Sequence, residues 1–152
     1  MKNMKIAIAS DHVGCDLRAY IGAHLTEQGY EVIDLGPAPG ERADYPVYGE
    51  KVANAIVSGE AELGVLICGT GIGISMAANK VPGIRAAVCS EPYSARMTRT
   101  HNNANIIAFG ARVVGTEVAR MIVDEFLNAE FEGGRHADRV ALIDAIEKKY
   151  NK

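Results

Sequence analysis

The chain has no tryptophan and only three cysteines among its 152 residues, Cys15, Cys68 and Cys89. Three scattered cysteines are too few for a disulfide framework and are typical of a reducing compartment. The sequence also lacks an apolar run of the roughly 18–20 residues that a membrane-spanning helix needs. Its first residues show no signal-peptide pattern. These absences predict a cytoplasmic protein without a membrane partner.

An excess of basic residues is missing as well. The sequence holds 16 Lys and Arg against 19 Asp and Glu, a net charge of −3, and it contains no run of basic residues. A protein that binds nucleic acid through its phosphates needs a basic face. We therefore expect no nucleic-acid partner.

Short apolar runs alternate with helical patterns along the whole chain. The runs predict strands over residues 5–10, 31–35, 63–67, 84–88 and 106–109. The helical patterns cover residues 17–28, 46–58, 72–79, 92–100, 116–127 and 135–149. This alternation is typical of a parallel sheet with helices on both faces. With no repeat or linker in a chain of ordinary domain size, we expect a single three-layer α/β domain over 1–152.

The segment Cys68-Gly69-Thr70-Gly71-Ile72-Gly73 directly follows the third predicted strand. Backbone amides without a neighbouring Cβ can point at a negatively charged group. A thiol beside them lies where its thiolate form is favoured, and this form acts as a base or nucleophile. The segment therefore predicts a reaction site. A buried thiol at a strand end, followed by a tight glycine turn, is the purely structural alternative.

Other polar residues follow other predicted strands of the sheet. Asp11 and His12 come after the first strand, and Arg112 comes after the fifth. Ligands of parallel α/β sheets bind at the carboxyl ends of the strands, so these side chains are candidates for the same site. The alternatives are an N-cap role for Asp11 and an ordinary surface position for His12.

Two arginines begin the last predicted helix. At about 100° per residue, Arg135 and Arg139 lie on the same face as the apolar Leu142, Ile143 and Ile146. Arginine is not expected on an apolar face unless it is paired or binds an anion. Two guanidinium groups one turn apart suit a phosphate. Pairing with carboxylates at an interface is the alternative.

His101 and Asn102 lie in a polar segment between the fourth helix and the fifth strand. Such a segment is most often a solvated turn, and in a parallel sheet it lies at the amino edge, away from Cys68. If His101 belongs to the Cys68 site, a second subunit must supply it. This hypothesis predicts a two-fold dimer with active sites at the interface.

Taken together, the motifs resemble those of type B ribose-5-phosphate isomerases, a family that also holds galactose-6-phosphate and allose-6-phosphate isomerases. The resemblance spans about residues 5 to 147. It rests on Asp11-His12-Val13-Gly14, Asp44-Tyr45-Pro46, Cys68-Gly69-Thr70-Gly71-Ile72-Gly73-Ile74-Ser75, Ala78-Asn79-Lys80, Ser90-Glu91-Pro92-Tyr93-Ser94-Ala95, His101-Asn102 and Gly133-Gly134-Arg135-His136. It implies a Rossmann-like three-layer sandwich, with a five-stranded parallel sheet and a C-terminal helix. It also implies homodimers or tetramers with shared active sites.

The resemblance further implies an aldose–ketose isomerase of the pentose phosphate pathway, which interconverts ribose 5-phosphate and ribulose 5-phosphate through an enediolate. Neither a metal nor an organic cofactor is expected. Cys68 would be the general base and His101 would open the sugar ring, while Thr70 could assist proton exchange. The residues expected to bind substrate are Asp11, His12, Gly69, Thr70, Gly71, Ile72, Gly73, Asn102, Arg112, Arg135 and Arg139. A six-carbon sugar phosphate remains the alternative substrate.

Three other classes of function fit less well. A dinucleotide-binding loop needs its third glycine where Ile74 stands, and it follows the first strand rather than the third. A redox-sensing domain built on Cys68 leaves Arg135 and Arg139 unexplained. A metal enzyme is disfavoured because the four histidines show no ligand spacing.

Overall fold

The computed structural model describes residues 3–151, which form five strands and six helices. In chain order these are β1 (Lys5–Ser10), α1 (Cys15–Glu27), β2 (Glu31–Asp34), α2 (Tyr45–Val57), β3 (Leu63–Cys68), α3 (Ile72–Ala78), β4 (Ala86–Val88), α4 (Pro92–Asn102), β5 (Ile106–Gly110), α5 (Thr116–Asn128) and α6 (Arg135–Tyr150). The predicted α/β architecture, with its five strands and its C-terminal helix, is confirmed.

One boundary differs from the prediction in a way that matters for the site. α4 continues to Asn102, so His101 and Asn102 lie in its last turn rather than in a solvated loop. The helix ends because Asn103 adopts a left-handed conformation, with φ of 50°, which asparagine tolerates better than most residues. The backbone N–H of Ala104 then donates to the carbonyl of Thr98 at 3.1 Å.

The strands form one parallel sheet in the order β2-β1-β3-β5-β4. The chain leaves β1 toward one edge of the sheet and returns to β3 on its other side. In such sheets the crevice at the carboxyl ends of the strands, where the order reverses, is the usual ligand site. The register places Ser10 beside Ile67 and Cys68 beside Gly110, so these strand ends meet at one edge.

Alternating side chains of the strands build a core on each face of the sheet. Ile8 and Phe109 pack on one face, where α1 and α5 supply Ile21 and Phe126. Ala7, Ala9 and Ala108 face the opposite side, which α2 and α3 cover. Because a parallel sheet is buried on both faces, its strands read as continuous apolar runs.

α6 is the least buried helix of the fold. His136 and Val140 are its buried residues, and the helix packs against α4. The face that carries Arg135 and Arg139 also carries Leu142, which is 66% exposed in this chain. The apolar face expected for these arginines is therefore present, but it points away from the core. Within residues 3–151, no helix is both long and apolar enough to cross a membrane.

Candidate active site

Cys68 is the last residue of β3, and its side chain is almost fully buried. The backbone N–H of Gly71 donates a hydrogen bond to its Sγ at 3.2 Å. The following helix α3 starts at Ile72, so the sulfur lies beside the turn that enters the helix. An N–H donor in this position stabilises negative charge that develops on the sulfur.

Two glycines allow the segment after Cys68 to lie directly on the end of β5. Gly71 has φ of 83°, and a Cβ added there would lie 2.7 Å from the backbone of Phe109. A Cβ on Gly110 would lie 2.6 Å from the carbonyl oxygen of Gly69. Side chains at either position would push the loop away from the sheet. The tight turn considered as the structural alternative is therefore present, and it also fixes the position of the thiol.

Not every glycine of the segment is held by the same constraint. A Cβ on Gly73 would lie 2.6 Å from the ring of Tyr45, so this glycine makes room for an aromatic side chain at the site. Gly69 faces open space apart from Cδ of Arg112 at 4.0 Å. Packing thus explains Gly71 and Gly73, while Gly69 leaves the backbone open to an approaching ligand.

The amides of this segment divide into used and available donors. The N–H of Ile72 donates to Oγ1 of Thr70 at 3.1 Å, and that of Gly71 donates to the thiol. The N–H groups of Gly69 and Thr70 make no hydrogen bond to another residue of 3–151. The Thr70 side chain is exposed, so its hydroxyl group can also reach a ligand.

Asp11 and His12 stand at the end of β1, beside this loop. Oδ1 of the buried Asp11 accepts hydrogen bonds from the N–H groups of Val13 at 3.0 Å and Gly14 at 3.1 Å. Asp11 is therefore not the N-cap considered from the sequence, because Gly14 takes that position without a side-chain cap; the Asp11 carboxylate instead holds the turn before α1. Nδ1 of His12 lies 3.1 Å from the carbonyl oxygen of Ala43, and its ring is exposed.

Two arginines border this edge, and only one was expected. The N–H of Arg112 donates to the carbonyl of Gly69 at 3.1 Å, which places its exposed side chain beside the loop. The unexpected residue is Arg18, which is buried and donates to Ser10 Oγ at 2.7 Å and to Pro37 O at 2.6 Å. Its position within the helical pattern of α1 gave no signal of this role.

The remaining predicted residues lie at the other edge of the sheet. His101 and Asn102 end α4, just before β5 begins, whereas Cys68 pairs with the last residue of β5. Four steps of about 3.3 Å along β5 separate these edges by about 13 Å. Arg135 and Arg139 start α6 next to His101. Within one chain, the structure therefore divides the predicted site residues into two groups.

His101 belongs to a cluster that the sequence did not reveal. Its ring stacks on that of His136, with centroids 4.1 Å apart and planes 8° apart. Oε1 of Glu132 lies 3.8 Å from Nε2 of His101 and 3.5 Å from Nε2 of His136. Burial, followed by the charge of His101, lowers the pKa of His136, and Arg135 and Arg139 contribute in the same direction while Glu132 opposes it.

These three side chains have the donor types of a metal site, and their ligand atoms lie within 4.8 Å of one another. Metal ligands must direct their lone pairs at a common point. Two parallel stacked imidazoles direct theirs along parallel lines, so an ion would require the stack to open. The observed arrangement fits a carboxylate shared by two imidazoles better than a metal centre.

Comparisons with known proteins agree with this geometry. The sequence pattern of the family described as Ribose/Galactose Isomerase matches residues 6–143. The chain is 59% identical to ribose-5-phosphate isomerase B of Escherichia coli (strain K12), over 97% of this chain and 99% of that protein. It is 46% identical to the D-erythrulose-4-phosphate isomerase of Pectobacterium atrosepticum, over 95% of each chain.

The fold agrees equally well with a solved structure. Ribose-5-phosphate isomerase B of Clostridium thermocellum superimposes with a TM-score of 0.95 at 60% identity, covering 97% of this chain and 100% of that one. The pattern match, the sequence identities and the fold thus cover nearly the whole chain. The chain belongs to the ribose/galactose isomerase family, a family of isomerase enzymes.

Proposed function

We propose that this protein interconverts ribose 5-phosphate and ribulose 5-phosphate in the non-oxidative branch of the pentose phosphate pathway, with Cys68 as the general base. The observation that carries the proposal is the position of the Cys68 thiol. It lies at the carboxyl edge of the sheet, receives the Gly71 N–H, and stands next to the available amides of Gly69 and Thr70. The high identity to ribose-5-phosphate isomerase B of Escherichia coli supports the choice of substrate.

The chemistry requires one base and a set of fixed donors. Cys68 removes the proton from C2 of the open-chain aldose and returns it to C1. The hydroxyl proton on O2 passes to O1, an exchange that Thr70 can assist, so no atom is lost or gained. Negative charge builds on the carbonyl oxygen as the enediolate forms, and preorganised N–H groups stabilise it there. The amides of Gly69 and Thr70, together with the Asn102 side chain, are the donors that we assign to this task.

Ribose 5-phosphate is mainly a closed furanose, so its ring must open before C2 becomes acidic. We assign this step to His101, which can exchange protons with the ring oxygen and the anomeric hydroxyl group. Because His101 lies at the other edge of its own sheet, the His101 of a second subunit completes each site. The exposed apolar face of α6, with Leu142, Ile143 and Ile146, is a surface that such a dimer would cover.

The phosphate needs cationic groups away from the reacting carbons. Arg112 stands at the loop edge, and Arg135 and Arg139 of a second subunit would approach with His101. Guanidinium groups bind phosphate oxygens through paired donors, and this binding orients C1 and C2 against the thiol. We expect Asp11 and His12 to contact the sugar hydroxyl groups between these two ends.

A coupled assay with ribose 5-phosphate tests the proposal. Cys68→Ala should abolish turnover while ligand binding, measured by calorimetry, persists. Cys89→Ala, which removes a buried thiol elsewhere, should retain most of the activity. Arg139→Ala should mainly raise KM, and Arg120→Ala on the exposed face of α5 should not. Near-normal turnover by Cys68→Ala would refute the role of the thiol.

A second candidate differs only in sugar length. The 46% identity to a D-erythrulose-4-phosphate isomerase favours testing a four-carbon substrate, and allose 6-phosphate and galactose 6-phosphate represent the six-carbon alternative. The substrate with the highest kcat/KM in parallel assays identifies the physiological class. A preference for a four-carbon or six-carbon sugar phosphate would overturn the ribose assignment without affecting the role of Cys68.

A further inference from the structure

The Glu132 carboxylate lies beside His101, and the reaction proposed above gives it no role. Oε1 of Glu132 faces the edges of both stacked imidazoles, 3.8 Å from Nε2 of His101 and 3.5 Å from Nε2 of His136. Neither Nδ1 atom makes a hydrogen bond to another residue in the described part of the chain. Both Nε2 atoms thus lie nearest the same carboxylate oxygen, at ion-pair rather than hydrogen-bond distance, and Nδ1 of His101 is left available.

Backbone hydrogen bonds fix this arrangement. The N–H of Glu132 donates to the carbonyl of Thr100, the residue before His101, at 3.0 Å. The N–H of His136 donates to the carbonyl of Gly133, also at 3.0 Å. The segment between α5 and α6 is thus tied to the last turn of α4. The main chain thus holds Glu132 and His136 beside His101, while the Glu132 side chain itself is 58% exposed.

Burial distinguishes the two rings. The side chain of His136 is 10% exposed, and that of His101 is 40% exposed. Burial, followed by the charge of His101, lowers the pKa of His136, so the buried ring is a poor place for a positive charge. His136 therefore acts as a flat support, and the more exposed His101 is the ring that can reach a substrate.

We propose that Glu132 is a positioning residue for His101. Its carboxylate holds a proton on Nε2 of His101 while the His136 ring fixes the plane, so that Nδ1 exchanges protons with the sugar ring. The proposal rests on the proposed function, because it assumes that His101 opens the furanose. The 3.8 Å separation exceeds a hydrogen bond, and catalytic contacts of this kind commonly tighten when substrate binds.

The kinetic test compares a substrate that must open a ring with one that cannot form it. D-erythrose 4-phosphate has no free hydroxyl group that could close a five-membered ring, so its isomerisation needs only the thiol and the donors. Glu132→Gln should lower kcat/KM for ribose 5-phosphate by about 10- to 100-fold, a typical share of acid–base catalysis. The same variant should change the four-carbon reaction by less than about two-fold, since no ring step is involved.

Two further variants control this comparison. Glu132→Asp keeps the charge on a shorter side chain and should recover most of the ribose 5-phosphate activity. Glu130→Gln removes an exposed carboxylate from the same segment, two residues earlier, and should behave as the wild type. A loss with Glu130→Gln as large as that with Glu132→Gln would show a general charge effect and overturn the proposal.

A second measurement does not depend on turnover. The 15N chemical shifts of the His101 ring report which nitrogen carries the proton. The wild type should show a protonated Nε2, and Glu132→Gln should shift His101 toward a mixture of tautomers. If the tautomer of His101 is unchanged in Glu132→Gln, the proposal is wrong. This test applies even when the four-carbon substrate reacts too slowly to measure.

The His101→Asn variant separates the two hypotheses. If His101→Asn does not slow the ribose 5-phosphate reaction more than the four-carbon reaction, the ring-opening role of His101 is wrong. A second outcome is that His101→Asn slows the ribose 5-phosphate reaction selectively while Glu132→Gln slows both reactions equally, or neither. In that case the role of His101 stands and the positioning role of Glu132 is wrong. Selective loss in both variants supports both.

Discussion

The backbone N–H of Gly71 donates to Sγ of Cys68 across 3.2 Å, and Gly71 reaches this position only because it has no Cβ. The same residue has φ of 83° and lies directly against the backbone of Phe109. One glycine thus serves the turn, the packing of the loop on β5 and the orientation of the thiol. The donor is built into the main chain, so a side-chain substitution elsewhere cannot replace it.

Gly71→Ala should therefore affect both stability and activity. A left-handed alanine costs about 1–2 kcal/mol, and the contact with Phe109 adds a further 1–3 kcal/mol or so of overpacking. Gly59 provides a matched control, because it has a similar φ of 86° with no atom within 4 Å of an added Cβ. Gly59→Ala should lose only the part of the unfolding free energy that comes from the left-handed conformation, about 1–2 kcal/mol. Equal losses of unfolding free energy in urea would contradict the role of the Phe109 contact.

The division of the site between two sheet edges leads to a complementation prediction. Cys68→Ala and His101→Asn should each be nearly inactive with ribose 5-phosphate. After the two variants are unfolded together and refolded, random pairing gives mixed dimers that contain one intact site, so about one quarter of wild-type activity should return. Refolding each variant alone is the control. A mixture as inactive as its components would mean that both residues act within one chain.

Arg18 is predicted to stabilise the loop that follows β2. Its guanidinium group donates to Ser10 and to the Pro37 carbonyl, and its Nε lies 3.3 Å from Asp34 Oδ1. Arg18→Met should cost about 2–4 kcal/mol of unfolding free energy, because buried partners lose their donor. Arg120→Met, which breaks an exposed pair with Glu117, should cost less than about 1 kcal/mol. Similar urea midpoints for the two variants would disprove the structural role of Arg18.

The Cys89 thiol should make the free energy of unfolding depend on pH in the alkaline range. Burial, and then the charge of Glu91, raises the pKa of its thiol from an ordinary 9.0 to about 11. Below pH 9 the thiol is protonated in both states and has no effect. As pH rises from 9 toward 11, the unfolded chain releases this proton and the folded chain retains it, so the free energy of unfolding falls.

Cys89→Ala should remove this part of the pH dependence, which is on the order of 1 kcal/mol per pH unit in that window. Urea titrations between pH 8 and about 10.5 measure it, and Cys15→Ala serves as the control for loss of a thiol. If the free energy of unfolding depends on pH in the same way in the wild type and in Cys89→Ala, Cys89 ionises in the folded protein as readily as in the unfolded one.

Much of the site could be predicted because it follows from strand ends. Cys68 and Asp11 come directly after apolar runs, and parallel strands bring such positions to one edge. The glycine pattern favoured a ligand-binding loop and left a tight turn as the structural alternative; the structure shows the turn, and the ligand-binding role stays a prediction. The pattern could not show that Gly71 donates to the thiol or that Gly73 makes room for Tyr45. Those contacts depend on which element packs over the loop.

The sequence by itself determined the α/β fold, the position of Cys68 at the carboxyl edge and the placement of His101 at the opposite one. Each follows from local periodicity, which sets strands, helices and their order along the chain. Only the tertiary structure decided that His101 ends a helix, stacks on His136 and faces Glu132. These residues come from α4, from the segment between α5 and α6 and from the start of α6, and no local pattern encodes how elements that are distant in sequence pack together.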